Sequence, residues 1–490
     1  MLFNSYIFVF AFLPLVWGLY MVFNKQKWFA MANVVLVIGS LIFYAYNSVE
    51  FCLLLIGSIG INYGLHRLLV RYTKNKVLLF AGVLWNLGVL FYVKYFDFFL
   101  ENTNALLGTD FALKNIVLPL GISFYTFQQL SFVVDSYKGQ VEKYNLLDYA
   151  LFVCFFPQLV AGPIVLHSEI IPQFKDEEKR KFIPENFYAG VQYFSLGLAK
   201  KVLIADTFGQ AVNWGYANYG GLNRISALFL VLSYTLQIYF DFSGYCDMAM
   251  GLGKLFNIEI IQNFDSPYKS NSVREFWARW HISLTRFFTT YVYIPLGGNR
   301  KGKWRTYLNV FVVFLLSGIW HGAQWTFVLW GVMHGILMVF ERMLGQKMER
   351  IPWLIRRIYT FGFVSFAWIF FRAESIRQGL AICKRILLGE GGGLAIEMAR
   401  AFEGNGLGYL MNQIRPGFAS PEWWPMLLAT VWLIGGIALV MAVPNTKQWV
   451  EHHYDKENRS AKWIPYVAVI AGIVSIFSFS GVSTFLYFNF

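Results

Sequence analysis

The run FVVFLLSGIWHGAQW, residues 311–325, is apolar enough to lie in lipid, yet it carries one ionisable side chain, His321. Ionisable groups at membrane depth are costly and tend to mark function. Hydrocarbon disfavours the imidazolium, so burial favours a neutral ring that can accept a proton near pH 7. A general base needs that state.

Similar apolar runs recur along the whole 490-residue chain, which is 57% hydrophobic and 14% charged. A hydrocarbon core of about 30 Å takes roughly 20 mostly apolar residues to cross as a helix, and backbone groups in lipid must be satisfied internally. The runs at 3–23, 29–46, 51–69, 77–96, 146–165, 225–242, 308–320, 325–340, 359–371, 424–443 and 463–479 predict an all-α polytopic membrane protein. About 11–13 transmembrane helices are expected, with re-entrant or interfacial helices besides. The first run lacks a basic flank and a small-residue cleavage site, so it reads as a retained span.

The net charge of +13 sits in short connections between spans. A nucleic-acid partner would need one basic face, so the lipid bilayer is the expected partner. Lys25 and Lys27, the group from His66 to Lys76, the group from Arg300 to Arg305, and Lys347, Arg350, Arg356 and Arg357 mark cytoplasmic loops. The basic-poor connections at 47–50 and 97–114 then place the N-terminus outside. Cys52, Cys154, Cys246 and Cys383 are scattered and read as packing thiols, and no metal site is expected.

A single membrane domain over residues 1–490 is expected, with an extracytoplasmic insertion around 373–421 and an aromatic tail at 485–490. The insertion holds Gly391–Gly393 and reads partly as loop, facing a partner or merely solvated. Residues 266–305 are too charged for a span and too aromatic for a loop, which fits an interfacial or re-entrant helix. At 100° per residue, Trp277, His281, Leu284, Phe288 and Tyr291 would share one face. A histidine there is either a packed core residue or a functional group. Breaks at LPLGISFYTFQQ from Leu118, FPQLVAGPI from Phe156 and IPLGGN from Ile294 argue for an internal cavity.

His452 and His453 fall in a charged stretch, His66 opens a basic loop, and His167 follows a span. His281, His321 and His334 remain as candidates. The segments REFWARWHISLTRF, ending at Phe287, and LSGIWHGAQW, from Leu316, resemble the two histidine motifs of membrane-bound O-acyltransferases. DFSGYCDMAMGLGKLFNI from Asp241, NFDSPY from Asn263, FPQLVAGPI, and YIPLGGNRKG from Tyr293 resemble the bacterial branch that O-acetylates extracellular polysaccharides such as alginate.

The resemblance implies a funnel-like core, with His321 as the essential histidine and His281 as its partner. In much of the wider superfamily the second position is asparagine; this chain has histidine. It also implies acetyl-CoA as a cytoplasmic donor with no bound cofactor, a polysaccharide acceptor outside the bacterial inner membrane, and an SGNH-type transferase as partner. His334 is a possible supporting residue or a packing one; Asp241, Asp247 and Asn263 are orienting groups or structural hydrogen bonders. The ending FLYFNF resembles an aromatic motif of this branch, in which Tyr487 would relay the acyl group; an aromatic belt is the other reading. Two other functions share parts of the pattern. A polysaccharide or lipid-linked sugar transporter would show the same broken helices, and a teichoic-acid D-alanyl transferase the same core.

Overall fold

Apolar runs without internal proline close their backbone hydrogen bonds locally, and seven helices among the described residues are long and apolar enough to cross a membrane. The computed structural model describes residues 1–141, 143–404, 421, 423–453, 463–479 and 484–486. The only β feature among them is an isolated bridge between Phe264 and Trp280. The chain forms two compact units, residues 1–191 with 249–261 and residues 192–248 with 262–490.

In the first unit, α1 (Phe8–Lys25), α3 (Val49–Arg71) and α4 (Lys76–Leu107) are spans, while α2 (Phe29–Ala45) is a shorter apolar helix. Ser48 caps α3 by accepting from the Phe51 N–H at 3.1 Å, and Asn75 caps α4 by accepting from the Val77 N–H at 2.9 Å. Polar side chains fasten α3 and α4 to α5 (Ile122–Lys138). Asn62 donates to Gln129 at 2.6 Å and Asn86 donates to Asn62 at 2.6 Å.

His66 and His167, expected at loop edges, are buried instead. His66 Nδ1 lies 2.8 Å from the Ser136 hydroxyl, and His167 Nε2 lies 3.4 Å from Asp135. Helix geometry explains His66: it lies four residues after Asn62 and so faces α5 with it.

The expected span at 146–165 breaks after α6 (Leu146–Cys154), where Phe155 leaves helical geometry and Pro157 follows in a four-residue helix. The run at 463–479 forms a helix of only 14 residues, Ile464–Phe477. Counting apolar stretches alone took such broken and short segments as full spans.

In the second unit lie residues 192–199 of α7 (Pro184–Ala199) and residues 224–248 of α8 (Arg224–Leu255), the most enclosed span, with 83% of its apolar window buried. A Cβ on Gly197 would stand 2.6 Å from the Gly244 carbonyl oxygen, so α7 and α8 touch backbone to backbone there. The charged stretch after α8 is a broken helix: α9 (Val273–Arg279), a non-helical corner, then α10 (Ile282–Phe288). The expected continuous face from Trp277 to Tyr291 therefore does not exist. The corner arises because Trp280 bridges to Phe264, while the Asp265 N–H donates to the Arg279 carbonyl at 2.9 Å. Three helices follow: α11 (Lys303–His321), α12 (Trp325–Leu344) and α13 (Trp353–Arg372). The insertion at 373–421 is largely helical where described, with Ile376–Leu388 and Ile396–Gly404 flanking the glycine triplet.

Candidate active site

His321 is the last residue of α11 and is 3% exposed. Small residues bring α11 and α12 together just before it. A Cβ on Gly331 would stand 2.6 Å from the Phe314 carbonyl oxygen, and one on Gly318 would collide with the Phe327 carbonyl. This hairpin seats the His321 ring edge-on against Trp330 at 5.2 Å, with Phe371 of α13 at 5.1 Å and Trp320 at 4.9 Å.

His281 occupies the corner between α9 and α10, outside the spanning helices, and is fully buried. Its backbone is left-handed (φ 48°, ψ 52°), a costly conformation that side-chain-bearing residues adopt only where neighbours enforce it. Asn263 supplies that enforcement. Its side-chain oxygen accepts from the Ser283 N–H at 3.0 Å and the Ser283 hydroxyl at 2.9 Å, and its carbonyl accepts from the Ile282 N–H at 3.1 Å. Burial pushes the His281 imidazole down to about 3, so the ring is neutral at pH 7. Phe242 of α8 packs edge-on against it at 4.9 Å, and Trp320 lies 6.2 Å away. Both histidines thus converge on Trp320 from opposite ends of a 40-residue separation.

His334 is fully buried on α12, 4.7 Å from Trp330. Trp277 Nε1 donates to its Nδ1 at 3.1 Å, which leaves the proton of a neutral ring on Nε2. Glu341 of the same helix accepts from the Val273 and Arg274 N–H groups at 2.8 and 3.0 Å, which holds the start of α9. Sequence reading passed over Glu341, although an acid in an apolar helix is a signal in itself.

A pocket of about 370 Å³ opens beside these residues. Trp277, Phe288, Phe314 and Ser317 line it, and Arg274 and Arg342 contribute charge. Ser317 is one helical turn from His321, so the pocket wall and the histidine share one helix end.

Asp241, Asp247 and Asn263 do not join the histidine rings. Asn263 holds the corner. Asp247 pairs with Lys200 at 2.6 Å and accepts from the Thr446 hydroxyl at 2.6 Å. Asp241 pairs with Lys201 at 2.7 Å, and both are 2% exposed. Sequence reading missed the two lysines, whose signal was a pair of charges inside the apolar run LGLAKKVLIA. Tyr487 lies outside the described residues, as does most of the FLYFNF motif, but Phe485 is 1% exposed and packs edge-on against Tyr245 at 4.7 Å.

The model of the membrane-bound O-acyltransferase family matches residues 27–382. A peptidoglycan O-acetyltransferase of Helicobacter pylori is 40% identical over 417 residues, covering 78% of this chain and 79% of the relative. A probable alginate O-acetylase, AlgI, of Pseudomonas aeruginosa is 39% identical over 387 residues, covering 77% and 73%. A teichoic acid D-alanyltransferase of Bacillus subtilis is 27% identical over 283 residues, covering 53% and 70%.

Proposed function

Since the chain belongs to the membrane-bound O-acyltransferase family and is an acyltransferase, we propose that it passes acetyl from cytoplasmic acetyl-CoA across the inner membrane for O-acetylation of an extracytoplasmic polysaccharide. The observation that carries this reading is the convergence of two buried histidines on Trp320, one turn from a pocket with arginines beside it. A phosphorylated thioester donor suits that pocket: Arg274 and Arg342 complement its phosphates and the aromatic wall its thioester arm.

In this reading His321 takes the proton from the attacking hydroxyl, whose oxygen bonds to the thioester carbonyl carbon. The carbon–sulfur bond breaks, and the imidazolium returns the proton to the departing thiolate. His281 is held neutral by burial, which lowers its basicity. It suits a neutral donor that steadies the developing oxyanion or the His321 ring. The first hydroxyl is that of Tyr487, which then carries acetyl to the polymer or to an SGNH-type partner transferase. His334 supports the site through Trp277.

The loops rich in lysine and arginine face the cytoplasm, and the N-terminus lies outside. Replacing His321 with Ala is expected to lower polymer acylation at least about 100-fold at unchanged protein level. Mass spectrometry of the polymer from cells with and without the variant checks this and identifies the acyl group. Acylation that persists in the variant overturns the reading.

A further inference from the structure

We propose that the buried Lys201–Asp241 pair is a latch that grips the segment 484–486 by its backbone and positions the residues that follow it for acyl transfer. The positioning half rests on the acyl-transfer reading above; the latch itself does not.

The ammonium of Lys201 has three protons, and each has an acceptor: Asp241 Oδ1 at 2.7 Å, Asp206 Oδ1 at 2.8 Å and the Thr484 carbonyl at 3.1 Å. The other Asp241 oxygen accepts from the Leu486 N–H at 2.9 Å. A cation therefore holds a carbonyl and an anion holds an N–H two residues on, so the polarity of the pair matches that of the peptide. Between these bonds, Phe485 sits with its ring 4.8 Å from the Lys201 ammonium and edge-on to Tyr245. The grip reads backbone at 484 and 486 and one aromatic side chain at 485.

The close contact of Gly197 with Gly244 brings Lys201 to this place. It continues into the Lys200–Ala205 stretch, whose π-helical winding is a common mark of function. Helix α8 connects the latch to the histidines. Asp241 grips the segment, the adjacent Phe242 packs on His281 at 4.9 Å, and Tyr245, one turn on, seats Phe485. The gripped segment ends one residue before Tyr487 in the sequence.

The test uses the full chain in lipid nanodiscs, with hydrogen exchange at the Leu486 amide, and parallel cells scored for polymer acylation. Lys201→Met should speed that exchange at least tenfold and lower acylation at least tenfold. Leu486→Pro removes the N–H that Asp241 accepts while leaving the ion pair intact, and should lower acylation to the same degree with unfolding temperature unchanged. Exchanging the pair, Lys201→Asp with Asp241→Lys, in an Asp206→Asn background that removes the like charge the exchange would otherwise meet, keeps an ion pair but sets donor against donor at Leu486. An ion pair with a purely structural role would be rescued by this exchange; a latch would not. Unchanged Leu486 exchange in Lys201→Met overturns the latch. Wild-type acylation in Leu486→Pro, or rescue by the exchanged pair, overturns the positioning role. Should His321→Ala leave acylation intact, the acyl-transfer reading fails and takes the positioning half with it, while hydrogen exchange still decides the latch.

Discussion

A single backbone angle at His281 decides how its side chain meets the rest of the site. The left-handed region is several-fold enriched in Asn, Asp and His among residues with side chains. His281→Asn is therefore expected to stay folded, within about 1 kcal/mol of the parent, and to lower acyl transfer only in part, since an amide N–H can donate in place of the ring. Asn263→Ala attacks the same corner from outside, leaving the buried Ser283 N–H and hydroxyl without their acceptor, at a cost of about 1–3 kcal/mol. Thermal unfolding together with polymer acylation separates the two variants, since only Asn263→Ala lowers both. Sequence reading singled out His321 because one ionisable group in an apolar run stands out locally. His281 was singled out for a partly mistaken reason, a helical face that the break at Trp280 removes. Lys201 was not singled out because two of its three partners lie 40 and 283 residues away, and periodicity detects only neighbours along one helix.

At the level of elements, the α11–α12 hairpin sets where His321 ends up. Gly318→Ala would drive a methyl group into the Phe327 carbonyl and push the helices apart, costing about 1–3 kcal/mol and reducing transfer more than tenfold. Gly362→Ala in α13, where a Cβ meets nothing within 4 Å, serves as the control and should be neutral or slightly stabilising. Comparing unfolding temperature and acylation of the two variants checks the close approach. Helix α8, the hairpin and α13 were all legible as apolar runs. The break at 155–157 was visible as a proline in an apolar stretch, yet its consequence for the span was not, because backbone satisfaction depends on neighbours absent from the local pattern.

For the whole molecule, the proposed orientation predicts that a cysteine at Lys301 or Arg350 reacts with an impermeant thiol reagent only in inside-out vesicles. One at Asn104 should react only in intact cells. Reaction at all three from the same face overturns the orientation. The class of protein was evident from composition, since 57% apolar residues in repeated runs leave little else possible. The surroundings of the two histidines were not, because the aromatic residues that form them come from helices α8, α9, α11, α12 and α13 and from the corner at Trp280.

That aromatic interior has one further effect. Trp277, Trp330, Trp368 and Trp280 form a chain of rings with successive centroids 5.5, 5.8 and 5.1 Å apart, and His321 touches its middle. Indoles this close share their electronic excitation, so the site should give the protein a coupled near-ultraviolet dichroism signal of its own. The enzyme then carries an optical reporter at the place where its chemistry is proposed, without any label.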